Sequence, residues 1–323
     1  MLYPLKFEPI LKEIIWGGDK ICRFKNLYPQ QNGIGESWEL SHVKNNVSIV
    51  ANGELKGKSL EELIETYKEK LIGKKVFEQF GATFPLLIKF IDAHAPLSVQ
   101  VHPDDLLAKQ RHNSFGKTEM WYVVRATQGA YLYSGFSRPM TPEEYVRSLE
   151  DDTFIDYLQR HEVKSGDAFF LPAGRVHAIG AGCFILEIQQ TSDITYRIYD
   201  YNRKDANGNP RELHTELAKD AIDYKVYPNY KLDCVPAKKP VQPLVSCPYF
   251  ITNLIEGQEN DTLYISNPDA FFIYIGLKGN TQLTDLHGHS IEIRQGETVL
   301  IPAENHTFSL KFKERGKLLE VHI

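Results

Sequence analysis

Residues 165–180 read SGDAFFLPAGRVHAIG, and residues 295–310 read QGETVLIPAENHTFSL. Both run glycine, acid, a short apolar stretch, Pro-Ala, and then a histidine a few positions on. Upstream, EMWYVVRATQGA (119–130) and DAFFIYIGLKGN (269–280) align without a gap and share a glycine at the same offset. An internal echo of this kind marks two similar units in one chain. The repeated pieces are rich in β-branched and aromatic residues and are bounded by turn residues, so each unit reads as β. The chain is therefore expected to be mainly β, two β-sandwich units with helical insertions.

The expected division is 1–230 for a longer unit with an N-terminal extension and helical segments, and 241–323 for a second, metal-free unit. The join falls in YPNYKLDCVPAKKPVQP (227–243), rich in Pro and Lys and without periodicity. Helices are expected near 58–71, where KSLEELIETYKEKL follows a capping Ser, and near 140–159, which opens Thr-Pro-Glu-Glu. A third is expected near 211–224. Other strands are expected in GAYLYSGF, DAFFLPA and ETVLIPA.

The 323 residues are 42% hydrophobic and 24% charged, with a net charge of -5. This is ordinary for a globular protein. No dense Lys/Arg stripe offers a surface to nucleic acid or an anionic membrane. The N-terminal MLYPLKFEPI lacks a secretory pattern and no apolar run is long enough to span a bilayer, so a cytoplasmic location is expected. Cys22, Cys183, Cys234 and Cys247 are scattered, which implies neither a disulfide framework nor a thiolate zinc site.

The chemistry centres on LSVQVHPDD (97–105). In a strand, Ser98, Gln100 and His102 share one face while Leu97, Val99 and Val101 share the other. Glu119 and His177 are candidates to join Gln100 and His102. Two imidazoles, a carboxylate and an amide oxygen suit a divalent metal such as zinc. Taken singly, each of these residues has an ordinary reading as a satisfied polar group or a solvated strand end. Lys89 stands inside an apolar run, where a charge is costly unless paired, facing a site, or reaching water by its long stem. Lys117 shares a strand face with Glu119 or is an exposed edge charge. Glu187 and Arg197 are either surface ion-pair groups or site groups.

The pattern G-D-x-x-x-x-P-A-G-x-x-H resembles the second cupin motif, and Q-x-H with a downstream Glu resembles the metal-binding half of the type I phosphomannose isomerases. IIWGG (14–18), GIGESWELS (33–41), PLLIKFIDA (85–93), LSVQVHPDD, GKTEMWYV (116–123), LPAGRVHAIG (171–180) and ILEIQQTSDITYRIYDYNR (185–203) follow that family's order across nearly the whole chain, in its short bacterial form. The resemblance implies cupin-like jelly-roll units and zinc-dependent interconversion of mannose 6-phosphate and fructose 6-phosphate through a cis-enediol(ate). It further implies one zinc per chain on Gln100, His102, Glu119 and His177, with Arg197, Lys117 and Glu187 as catalytic groups. Ser98 and Lys89 are implied for the phosphate, and Arg175 departs from the family's smaller residue and is placed near the substrate. Two rival readings are a non-catalytic sugar-phosphate-binding or regulatory cupin, and a cupin enzyme using iron or manganese. His306 is a poor metal candidate, because no Q-x-H precedes it and Asp269 alone falls in the Glu119 register.

Overall fold

The computed structural model describes residues 1–28, 30–204, 208–233, 240–266 and 269–323. Four antiparallel sheets carry the fold, two to each unit. The inner sheet of the first unit orders its strands Ala168–Leu171, Glu119–Ala126, Cys183–Gln190, Leu86–Asp92, Ile34–Leu40, Ile10–Gly18. Its outer sheet runs Leu158–Glu162, Tyr131–Phe136, His177–Ile179, Val99–Val101, Tyr196–Tyr199. In the second unit the inner sheet is Leu5–Lys6, Thr298–Ile301, Phe272–Lys278, Gly316–His322, Ile251–Gly257, Val241–Ser246. The outer sheet is Thr262–Ser266, Thr307–Phe312, Asn280–Asp285, Ser290–Arg294.

Strand alternation explains the stacking. Along Glu119–Ala126, Trp121 and Val123 pack with Leu132 and Ile179 of the outer sheet. Met120, Tyr122 and Val124 face the other way, into a cluster that includes Ile273, Ile275, Leu319 and Val321 of the second unit. Both faces of each inner sheet are thus covered, which is why MWYVV and FFIYIGL read as unbroken apolar runs. In the second unit, Tyr274 and Val299 pack with Leu283 and Phe308. Beyond the first outer sheet, Val99, Val101 and Tyr196 pack under helices Pro142–Glu150 and Thr215–Ala221 through Tyr145 and Ala218.

The downstream echo is a structural repeat. Gly166 and Gly296 both take positive φ, +92° and +81°, and each opens an inner-sheet strand ending at Pro-Ala. The upstream match is displaced. Leu171 lies opposite Glu119, but Ile301 lies opposite Phe272, so Phe272 rather than Asp269 occupies the Glu119 register. A strand apolar on both faces gives a sequence match no means of detecting such a slip. Asp269 instead accepts the backbone N–H of Lys74 at 2.7 Å.

Helix starts were better signalled than helix ends. Ser59 and Thr141 each form a capping box, with Glu62 and Glu144. The first helix spans only Leu60–Tyr67, because Lys68 takes a positive φ of 49°, and two short helices, Glu69–Ile72 and Lys74–Phe80, follow. The second ends at Glu150, and the rest of the expected span becomes a 3-10 turn and the strand Leu158–Glu162. The third is Thr215–Ala221. Helices Lys20–Lys25 and Asp105–His112 were not anticipated. Within the expected linker, residues 234–239, including Cys234, lie outside the described residues, and 241–243 already belong to a strand. Cys22, Cys183 and Cys247 are free thiols.

Leu319 is fully buried in the cluster shared by the two inner sheets. Leu319→Ala is expected to cost about 2–5 kcal/mol. Because that cluster spans both units, calorimetry should show one unfolding transition shifted downward. Two resolved transitions, only one of them moved, would contradict the shared core.

Candidate active site

Cross-strand pairing assembles the site from two facing rows. In the outer sheet, Gln100 lies opposite Arg197 on one side and His177 on the other, and His177 lies opposite Ser134. In the inner sheet, the row Trp38, Lys89, Glu187, Trp121, Phe169 crosses five strands. The next row toward the metal candidates places Gln189 opposite Glu119. His102 follows the strand Val99–Val101, and Asp104 then caps helix Asp105–His112 by accepting Leu107 N–H at 2.8 Å. His-Pro-Asp-Asp is thus a strand end and a helix start.

His102, Glu119 and His177 bring their ligand atoms within 4.8 Å of one another, and all three are buried. Each imidazole presents Nδ1 to a backbone carbonyl, His102 to Ile194 at 2.9 Å and His177 to Arg175 at 2.8 Å. A carbonyl only accepts, so Nδ1 carries the proton and Nε2 turns its lone pair toward Glu119. Oε1 of Glu119 lies 3.3 Å from His177 Nε2, and Oε2 lies 3.5 Å from His102 Nε2. Lys117 Nζ sits 3.0 Å from Glu119 Oε2 and 3.0 Å from His102 Nε2. Despite that ion pair, neither Glu119 oxygen has a partner in hydrogen-bonding geometry. The Gln100 amide faces His177 Nε2 at 3.3 Å, and a half-turn of the amide presents its oxygen at the same place.

These surroundings set the charges. Burial, reinforced by the Lys117 charge, holds the His102 imidazole well below its ordinary range and His177 down to about 3. Both are neutral, the form that binds metals. Burial, together with the Glu187 charge, pushes the Glu119 carboxyl up to about 8 against the opposing pull of Lys117 and Lys89. Burial also acts to raise Glu187, but Lys89, Lys117 and the Trp121 N–H outweigh it and hold that carboxyl down at about 2. Lys89 in turn is raised, because Glu187, Glu36 and Glu119 outweigh its burial. Beyond the Lys117 ammonium, the buried Glu119 oxygens and the two inward lone pairs have no donor to meet them, which is costly unless a further cation joins them. The nitrogen and oxygen donors here fit a divalent metal ion.

Beside this cluster lies a cavity of about 330 Å³ walled by Trp16, Lys89, Ser98, Gln100, Lys117, Glu187, Arg197 and Arg211, among others. Gln100 and Lys117 touch both the cavity and the ligand cluster. Lys89 Nζ lies 3.2 Å from Glu187 Oε2 and 5.0 Å above the Trp38 ring, and Trp121 Nε1 donates to Glu187 Oε1 at 2.9 Å. Arg197 NH1 donates to the Glu212 carbonyl at 2.9 Å while its buried Nε has no partner. Burial and then Arg211 lower the proton affinity of Arg197. A larger opening of about 1350 Å³ elsewhere, lined by Tyr122, Tyr227, Lys231 and Glu256 among others, contains none of these groups.

Nine of the ten expected residues are therefore drawn together: Ser98, Lys89, Lys117, Glu187, Arg197 and Gln100 around the cavity, and His102, Glu119 and His177 beside it. The tenth, Arg175, is not. Its guanidinium sits in the corner formed by Tyr227 and Tyr230, 4.6 Å from each ring, and does not line the cavity. Sequence reading missed Trp16, Glu36, Asp193, Thr195 and Arg211 as cavity walls. Arg211 reaches the cavity through its pairing with Asp200, a contact with no local pattern.

The second unit repeats part of the arrangement. Asn253, Glu320 and Tyr274 lie opposite one another as Lys89, Glu187 and Trp121 do. Glu320 accepts from Tyr274 at 2.5 Å and from Asn253 at 2.7 Å. At the ligand registers, however, Phe272 replaces Glu119, and the pair Ser266–Thr307 replaces Gln100–His177. His306 is exposed and contacts its neighbour's carbonyl.

Residues 5–122 match the model of the type I phosphomannose isomerase catalytic domain. The chain is 43% identical over 227 residues to mannose-6-phosphate isomerase ManA of Bacillus subtilis, covering 70% of each chain. It is 34% identical over 307 residues to the mannose-6-phosphate isomerase of Streptococcus mutans, covering 94% of this chain and 93% of that one. A crystal structure of the mannose 6-phosphate isomerase from Bacillus subtilis superposes over 100% of both chains with a TM-score of 0.88 at 31% identity. Fold, buried donor cluster and relatives agree: this chain belongs to the type I phosphomannose isomerase family.

Proposed function

We propose that the chain interconverts mannose 6-phosphate and fructose 6-phosphate with one zinc ion bound by Gln100, His102, Glu119 and His177. The observation that carries this reading is the convergence of two neutral imidazoles and a buried carboxyl group beside a cavity lined by Lys89, Lys117, Arg197 and Arg211. Zinc bound there supplies Lewis acidity toward the sugar's carbonyl and hydroxyl oxygens.

The chain's own residues do the rest. Aldose-ketose isomerisation moves a proton between C1 and C2 and another between their oxygens, by way of a cis-enediol(ate). Lys117 lines the cavity beside the donor cluster, which places its amino group to relay a proton between those oxygens. Arg197 offers a half-buried planar fork for the negative charge of the enediolate. Glu187, held as an anion, keeps Lys89 charged; Lys89 and Ser98 then bind the substrate's phosphate. Trp16 walls the cavity. Arg175 has no part in substrate contact in this assignment.

The division 1–230 and 241–323 assigns catalysis to the first unit and support to the second, whose ligand registers hold Phe272, Ser266 and Thr307. The free thiols of Cys22, Cys183 and Cys247 suit a reducing cytoplasm. Among the described residues no helix is long and apolar enough to cross a membrane.

His102→Ala or His177→Ala is expected to abolish zinc retention and isomerisation together, measured by metal analysis and a coupled assay for fructose 6-phosphate. Full activity of metal-stripped protein would defeat the assignment, and activity that needs iron or manganese would redirect it. Arg197→Ala should keep its zinc and lose turnover by on the order of 10²-fold or more. Loss of the metal in that variant would place Arg197 in the ligand shell's support instead.

Glu119 must shed a proton to bind a cation wherever the pH is below about 8. Zinc affinity is therefore expected to rise about tenfold per pH unit toward pH 8 and to flatten above it, with up to about one proton released per ion. The histidines titrate far lower and add nothing near neutrality. Calorimetry in two buffers of different ionisation enthalpy reads the proton count; a count of zero at pH 7 would mean that Glu119 is already ionised in the empty site.

A further inference from the structure

Arg175 is almost fully buried, yet among the described residues no carboxylate lies within ion-pair distance of it. Its partners are the two tyrosine rings, each 4.6 Å away. Both rings are anchored at their far ends. Tyr230 donates its hydroxyl to the Phe136 carbonyl at 2.9 Å and packs over Gly135, where a Cβ would lie 2.2 Å from the ring. Tyr227 donates its hydroxyl to Asp223 at 2.6 Å.

The turn that carries Arg175 also holds both histidines. The Arg175 carbonyl accepts from His177 Nδ1 at 2.8 Å, and the Gly174 N–H donates to the His102 carbonyl at 2.9 Å. Gly174 is in turn held by Asp223, whose N–H donates to its carbonyl at 2.8 Å, and its φ of +87° admits few other residues. The segment 223–230 therefore grips this turn twice, once through backbone at Gly174 and once through rings at Arg175.

We propose that Arg175 is a positioning residue for the metal-binding histidines: its guanidinium, seated in the corner that the Tyr227 and Tyr230 rings form at 71° to each other, fixes the 172–177 turn that orients His177 and is bonded to His102. This rests on the reading of His102, Glu119 and His177 as metal ligands. A planar guanidinium can lie against one ring of such a corner while its N–H edge meets the other, which a lysine ammonium cannot reproduce. Groups that orient metal ligands from behind are typically worth about 10–100-fold in metal affinity.

The test compares Arg175→Lys, Arg175→Met, Tyr227→Leu and Tyr227→Phe with the unaltered protein. Zinc affinity is measured by chelator competition, and the absorption spectrum of the cobalt-substituted protein reports ligand geometry. Thermal unfolding of the metal-free forms checks that each variant is folded. The two Arg175 variants and Tyr227→Leu should bind zinc about tenfold or more weakly, with an altered cobalt spectrum and little change in KM. Tyr227→Phe, which keeps the ring, should retain the original affinity and spectrum. Unchanged affinity and spectrum in the Arg175 variants would overturn the proposal, as would a raised KM with metal binding intact, which would make Arg175 a substrate contact. If the unaltered protein takes up neither zinc nor cobalt, the metal reading itself fails; if it does and the variants match it, only the role of Arg175 falls.

Discussion

A carboxyl group with no solvent exposure, one ammonium beside it and two neutral imidazole lone pairs turned toward it is the constraint around which the first unit is organised. Left alone, Glu119 keeps its proton up to about pH 8. The surrounding structure meets that carboxyl with one charged donor, the Lys117 ammonium 3.0 Å from Oε2, and with no neutral one. It also supplies a second carboxylate, Glu187, that is fully satisfied by Lys89 and Trp121. Two acids one strand row apart are thus pushed in opposite directions, one poised to trade a proton for a cation and the other a permanent anion.

Placing these groups requires sheets with two buried faces. The inner sheet of the first unit turns one face to the site and the other to the second unit, and the cluster between the inner sheets includes Phe90, Leu186, Ile273 and Leu319. Lys89 and Glu187 sit among these strands on the opposite face, each flanked in sequence by apolar residues that point away from the site. A rigid apolar backing of this kind is what allows charged side chains to be held close together without collapse into alternative pairings. The second unit supplies that backing, and its own interior carries a corresponding row with neutral donors. Glu320 keeps the position of Glu187, with Asn253 and Tyr274 as neutral donors, while Phe272 fills the place of Glu119.

Much of the site was legible because alternation in strands is a local rule. Gln100 and His102 are two apart on one strand, Lys117 and Glu119 two apart at the start of another, and the Pro-Ala-Gly turn delivers His177 at a fixed offset. The resemblance to a known family joins these fragments into one candidate ligand set. The failures lay where a residue's role depends on what comes from far along the chain. Arg175 shares its alternation with His177 but is captured by Tyr227 and Tyr230 from beyond the last helix of the unit. Arg211 and Asp193 enter the cavity wall from loops. The ungapped match that set Asp269 against Glu119 was broken by a register shift invisible in two apolar strands.

By itself the sequence determined that two related β units exist, where most strands and the capped helix starts fall, and which side chains share a strand face, since each of these follows from short-range sterics and hydrogen bonding. Only the tertiary structure decided which faces meet, that Glu119 has the Lys117 ion pair alone while Glu187 has both Lys89 and the Trp121 N–H, and that Arg175 is held away from the cavity. Those outcomes depend on burial and on charges contributed by strands distant in sequence, and the free energy of a buried charge is set by neighbours that local pattern does not specify.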